Sequence, residues 1–324
     1  MPAHRTAQDR PLPIAITPIA APGKRLTQRA PWLWFVLPAL LAYGGLFLYP
    51  TARAFYLSVF DWSGVGSTKN LIWFENFTTL LRAERFWRAS WHSAQLFGFI
   101  FIFQNTVSLG LALMLNRRTR MTHVYRTVIF LPVIMSAVAT GVVWILMLDP
   151  IIGVINPVLR DIGLTSWQRE WQADTALALP TIMVVQAWQW NGMAVVLYLA
   201  GLQNVPDDLK EAAKIDGANA FRVFRDIVFP MLAPAFTIVT ILAFILTFRA
   251  FDLPYVLAGP QGAPDGATIL LGVQIYGDAF GTSSFSSSPR LSYAIAEGVT
   301  LFLFLAGVSG LLIKALGRRE EALH

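Results

Sequence analysis

The sequence contains no cysteine, which removes disulfides, thiolate metal sites and cysteine nucleophiles at once. Histidine is scarce: His4, His92, His123 and His324 are scattered and form no HxxxH or HxxE spacing, so no metal site is read from them. Charge is thin as well. Only 14% of residues are Asp, Glu, Lys or Arg against 55% hydrophobic, whereas soluble domains carry roughly 25% charged residues. No GxxxxGK[ST] phosphate loop exists: Gly23-Lys24 is followed by Arg25, with Pro18 where the first glycine would stand.

What is present is apolar. Mean hydropathy is +0.54, and several runs approach or exceed the roughly 20 apolar residues that cross a bilayer. The reading is an all-α polytopic membrane protein, a six-helix transmembrane bundle. The spans are placed at about 32–52, 94–115, 127–148, 177–200, 231–251 and 291–313. Pro38, Gly44, Gly45 and Pro50 lie in the first, which bilayer helices tolerate when neighbours re-satisfy the freed backbone. Residues 1–31 hold six prolines and five basic residues without hydrophobic period, and read as a disordered basic cytoplasmic tail. Residues 32–313 form the transmembrane domain, and 314–324 a short cytoplasmic tail. The first apolar run is too long for the core of a signal peptide.

Lysine and arginine decide the side. With the N-terminus inside, the inner segments hold sixteen, including Arg117, Arg118, Arg120 and Arg126, then Lys210, Lys214, Arg222 and Arg225. The outer segments hold eight. That bias puts both termini and the 201–230 loop in the cytoplasm. The net charge of +6 is thus read as loop arginine and lysine, with no nucleic-acid partner. Trp32, Trp34, Trp87, Trp91, Trp167 and Trp171 fall near span ends, where they anchor at the lipid headgroups.

One polar, helix-forming stretch lies between two apolar runs: EAAKIDGANAFRVFRDIVFP, Glu211 to Pro230. Pro206 suits a first helical turn, and Asp207 and Asp208 place negative charge where the helix dipole favours it. Gly217 supplies the left-handed residue after the first helix, and Asn219 caps a second one, which Pro230 ends. Ala212 and Ala213 leave a patch without bulk, flanked by Lys210, Glu211 and Lys214. Two readings stand: a docking surface for another protein, or an amphipathic connector on the bilayer.

Glu211, Ala212, Ala213, then Gly217, Ile227, Phe229 and Pro230 resemble the EAA loop of membrane subunits in bacterial binding-protein-dependent ABC importers. Phe229 stands where that pattern usually has leucine. AGLQNVP at 200–206 and IDGA at 215–218 resemble the sugar branch of the family. So do FLP at 130–132, Trp144, Asp149-Pro150, Gly153, Asn156 and Phe251-Asp252. The likeness runs over roughly 30–315. It implies a type I importer fold in the bacterial inner membrane, multi-pass and non-catalytic. It implies the partners too: a second permease subunit, two ATPases that hold ATP and Mg, an extracytoplasmic sugar-binding protein, and an oligosaccharide substrate. Glu211, Ala212, Ala213, Asp216 and Gly217 become the ATPase-coupling residues.

Sugars are held by hydrogen bonds and aromatic faces, so polar and aromatic residues at bilayer depth are pathway candidates. Gln186, Gln189, Trp190 and Met193 share one face of the fourth span, with Trp188 and Asn191 beside it. Thr240 and Thr247 add to this in the fifth span, and Gln104 and Asn105 in the second. The competing reading is hydrogen bonding between helices. Arg249 is the sharpest single residue, because an arginine at mid-membrane costs about 2.5–3.5 kcal/mol. It snorkels outward, pairs with Asp252 or Glu297, or meets an anionic substrate group, which would mean an acidic, uronate or alginate-like sugar. The 258–290 loop, rich in Gly, Pro and Ser, reads as flexible, a docking tip or a connector. The rival class is an ion-coupled secondary transporter, which would show repeat-related halves and several ionisable residues at mid-membrane.

Overall fold

The computed structural model describes residues 32–66, 69–116, 121–282 and 288–321. The tail over 1–31 and Arg117, Arg118 and Arg120 lie outside the described residues. Two compact units divide the chain, 1–50 and 51–324. The first carries α1 (Trp32–Tyr43) and a π-helical turn over Gly44–Leu48. Its Phe35, Leu41, Leu46 and Phe47 are exposed, which suits an apolar rod in lipid. The helix runs on as α2 (Tyr49–Leu57).

In the second unit a two-stranded antiparallel ribbon, β1 (Phe60–Asp61) with β2 (Asn70–Leu71), leads to α3 (Glu75–Arg82). Then come α4 (Glu84–Phe103), a π-helical turn at Gln104–Ser108, and α5 (Leu109–Leu115). α6 (Thr122–Ile134) and α7 (Ala137–Leu148) precede α8 (Ile155–Asp161) and the long α9 (Ala178–Gln203). The polar stretch forms α10 (Asp207–Ile215), α11 (Ala220–Val223), a π-helical turn at Phe224–Val228, and α12 (Phe229–Met231). α13 (Ala233–Phe248), α14 (Asp252–Ala258), α15 (Leu271–Phe280) and α16 (Leu291–Glu321) complete the chain.

Four helical stretches are long and apolar enough to cross a membrane: Phe35–Leu57, Glu84–Leu115, Ala178–Gln203 and Leu291–Gly317. Two bent pairs, α6 with α7 and α11–α12 with α13, raise the number to six when each is counted as one span. All six positions read from hydropathy are therefore occupied. Two of them are not straight.

The third is bent by 100°. Pro132 sits in the last turn of α6, where its ring and missing N–H weaken the helix. Met135 is extended, and Ser136 starts α7 afresh by accepting a hydrogen bond from the Ala139 amide at 3.1 Å. The fifth turns by 64° between Met231 and Ala233, with Pro230 and Pro234 on either side. The helix thus continues one residue past Pro230 before it bends.

The bundle is held by three buried apolar clusters. One joins α5, α9 and α13 with Val223 and Val228 of the polar stretch. A second joins α3, α4, α13, α15 and α16, and includes Phe244, Phe248 and Val273. The third fills the space between α4, α9 and α13 with Leu96, Ile100, Met183 and Leu270. α15 corrects the flexible reading for one part of the 258–290 loop: within Leu271–Phe280, Leu271, Val273, Gln274, Gly277 and Asp278 are buried, while residues 283–287 lie outside the described residues.

Candidate coupling surface and translocation pathway

α10 is built to present one face outward. Asp207 and Asp208 occupy its first turn and Lys214 its last, matching the helix dipole. Lys210 Nζ donates to Asp207 Oδ1 at 2.8 Å. At its C-terminus the Ala218 amide donates to the Ala213 carbonyl at 2.9 Å and the Gly217 amide to Lys214 at 3.0 Å. That is the paired Schellman bonding, and it requires a left-handed residue. Gly217 supplies it with φ of +83°. Asn219 then caps α11, its Oδ1 accepting from the Arg222 amide at 2.9 Å.

The residues read as coupling candidates divide by orientation. Glu211, Ala212, Asp216 and Gly217 are exposed, and Ile215 is 86% exposed, an unusual fraction for a large apolar side chain. Phe221 joins them at 67%. Ala213 is turned inward and packs against the chain's own core. Glu211 makes no side-chain hydrogen bond or ion pair among the described residues. The helix is therefore seated on one side and unpartnered on the other.

The pathway candidates separate differently. Gln186 and Gln189 are buried, Trp190 is half-buried and Met193 is exposed. Gln189 Nε2 reaches the Met135 carbonyl and Thr140 Oγ1, both at 3.3 Å. It satisfies the backbone freed at the break between α6 and α7. Ser108 Oγ donates to Asn191 Oδ1 at 2.6 Å, and Tyr198 OH donates to Asn105 Oδ1. Thr247 Oγ1 donates back to Ala243 within its own helix at 2.7 Å. Gln189, Asn191, Asn105 and Thr247 thus spend polar groups inside the bundle. The oxygens of Gln186 and Thr240 are buried and find no partner among the described residues. Trp188 packs edge-on to Trp144, ring centroids 5.5 Å apart.

Arg249 ends α13 and is exposed. Neither Asp252 nor Glu297 pairs with it, and it has no side-chain partner among the described residues. Glu297 instead accepts from Gln274 Nε2 at 2.8 Å. Beside it Arg85 pairs with the fully buried Asp278 at 2.9 Å, and Arg290 lies 4.2 Å from the Tyr293 ring centre. Asp278, Gln274 and Glu297, with Arg85, form a buried polar cluster that fastens α15 to α4 and α16, and Arg290 is exposed at its edge. Sequence reasoning missed Arg85, Gln274 and Asp278, since the ion pair spans 193 positions.

Asn156, noted only as a motif residue, organises the 149–177 segment. Its Nδ2 donates to the Arg169 carbonyl at 3.0 Å, and its Oδ1 accepts from Trp171 Nε1 at 2.9 Å. Asp149 accepts from the Ile151 and Ile152 amides at 2.8 and 2.9 Å. Those amides hold its carboxyl below the usual carboxylate range.

Residues 104–321 match the family of binding-protein-dependent transport system inner membrane components. The chain belongs to this family. It is a non-catalytic permease subunit of an ABC importer. The permease is 33% identical over 276 residues to the lactose transport system permease protein LacF of Rhizobium radiobacter, covering 85% of this chain and 91% of that one. To the diacetylchitobiose uptake system permease protein NgcF of Streptomyces coelicolor it is 30% identical over 312 residues, with 93% and 86% covered. A crystal structure of a bacterial ABC transporter that imports the acidic polysaccharide alginate superposes with a TM-score of 0.74 at 21% identity, covering 89% of the permease and 96% of that chain. The all-α architecture is that of type I importer subunits.

Proposed function

We propose that this permease subunit carries oligosaccharides and is driven by separate ATPases that grip α10. The observation that carries the coupling half is the outward face of α10, where Glu211, Ala212 and Ile215 stand exposed while Ala213 anchors the helix to the core. The sugar half rests on relatives named for lactose and diacetylchitobiose. Both termini and α10 lie in the cytoplasm, following the lysine and arginine bias. A second permease completes the pathway, two ATPases hold ATP and Mg, and an extracytoplasmic binding protein delivers the sugar.

ATP draws the ATPases together, each moves the helix it holds, and the spans tilt as rigid bodies so that the site changes sides. Glu211 sets the helix in the ATPase cleft, and Ala212 permits close approach. Gly217, with the Asp216 cap, fixes the turn that passes the motion to α11–α13.

Arg249 favours a second reading of the substrate, an acidic oligosaccharide, because it is exposed without an ion-pair partner. Uptake tests both. Cells lacking the chain should lose oligosaccharide uptake and regain it on complementation. Arg249→Gln should lower uptake of uronate oligosaccharides roughly tenfold, the value of one charge-assisted contact of about 1.4 kcal/mol, and spare neutral ones. Equal loss for both classes removes the acidic reading. Unchanged uptake without the chain removes the sugar reading.

A further inference from the structure

A polar cavity of about 690 Å³ opens beside α10, at the junction of the α5 end, the α6 start and the α9 end. Its volume lies in the range of small-molecule sites, roughly 300–1,000 Å³. Arg126, His123, Asn116, Gln203, Lys210 and Asp207 line it. The first turns of α6 and α10 both border it, through His123 and Asp207, and neither helix is capped by the side chain of its N-cap residue. The α6 end has no acidic residue in its first turn, whereas Asp207 and Asp208 already offset the α10 dipole.

The balance of charge is uneven. Lys210 is matched by Asp207, but Arg126 has no ion pair, and its Nε is buried without a hydrogen-bond partner among the described residues. Asn116 and Gln203 contribute amide groups whose side chains also lack partners there. One carboxylate, Asp207, lines the cavity and is paired with Lys210; the Arg126 guanidinium, the remaining Lys210 N–H donors, an imidazole and two amides match a tetrahedral oxyanion with several acceptor oxygens. Among the described residues, none of the acceptors lining the cavity hydrogen-bonds Arg126.

We propose that this cavity binds a phosphate-bearing anion, held between Arg126 of α6 and Lys210 of α10, so that a ligand distinct from the transported sugar touches the coupling helix. The phosphate could belong to a soluble phosphate monoester or to the headgroup of an anionic lipid of the inner leaflet. The cytoplasmic address of the site rests on the orientation proposed above; the binding chemistry does not.

The test uses the full-length chain, with the subunits that co-purify, in nanodiscs. Radiolabelled glycerol 3-phosphate is titrated by equilibrium dialysis in phosphatidylcholine discs, and co-retained phospholipid is identified by mass spectrometry from discs that also contain phosphatidylglycerol. Saturable glycerol 3-phosphate binding that weakens at least tenfold in Arg126→Gln and returns in Arg126→Lys supports a soluble ester. Arg126-dependent enrichment of phosphatidylglycerol without binding of the soluble ester supports the headgroup. Absence of both, or binding and enrichment indifferent to Arg126→Gln, overturns the proposal. If Arg126→Gln fails to assemble, Asn116→Leu on the opposite wall is read in its place, with the same outcomes. Failure of α10 to reach an ATPase would leave these results unchanged, so the two readings fail separately.

Discussion

Gly217→Pro is expected to abolish energised uptake while the permease remains in the membrane. The Gly217 φ of +83° cannot be reached by proline, whose ring holds φ near −65°, and proline also removes the amide that bonds Lys214. A cost of about 3 kcal/mol leaves the intact turn populated roughly a hundredfold less. A Cβ at this position would meet nothing within 4 Å, so steric crowding is not at issue. Gly217→Ala should therefore suffer only the left-handed strain of about 1–2 kcal/mol and keep partial uptake. Glu211→Lys should show the same uncoupling with the turn intact, ATP hydrolysis continuing without transport. Radiolabelled sugar uptake and ATPase rate, measured on the same preparations, check all three. Full uptake by Gly217→Pro contradicts the coupling role.

Gly192→Val should destabilise the bundle itself. At Gly192 a Cβ would lie 2.6 Å from the Ile129 carbonyl oxygen, 2.9 Å from Val133 Cγ2 and 3.0 Å from Phe130 Cα. Most of these are backbone atoms of α6 and cannot swing aside. Small residues let membrane helices approach this closely, and overpacking such a contact costs about 1–3 kcal/mol, with valine at the upper end. The same contact holds α9 against the helix that Gln189 helps to break. A lowered unfolding midpoint in detergent, smaller for Gly192→Ala than for Gly192→Val, is the expected readout. An unchanged midpoint in both would mean that α6 and α9 do not pack as described.

The sequence made some features legible because local chemistry dictates them. Six apolar stretches of bilayer length, the left-handed Gly217 and the Asn219 cap each follow from residues a few positions apart. The 100° break in the third span follows only in part, since Pro132 and Ser136 mark where a helix can break but bilayer helices often carry such residues without breaking. Its cause lies partly in Gln189, over fifty residues away, which offers the freed carbonyl a donor. α15 hid in a loop whose Gly and Ser content outweighed its short apolar face. Asp278 became intelligible only beside Arg85. The face of Gln186, Gln189, Trp190 and Met193 was correctly helical in spacing, yet periodicity cannot tell a pathway lining from a buried polar contact. The bundle uses Gln189 for the second.

The absence of cysteine makes the most direct measurement simple. A single cysteine introduced at Ala212, on the exposed face of α10, is labelled with a short photocrosslinker in the intact transporter. The account predicts a covalent adduct with a nucleotide-hydrolysing subunit, whose yield changes when ATP is added. Adducts with lipid or solvent alone, in a preparation that still transports sugar, would contradict it.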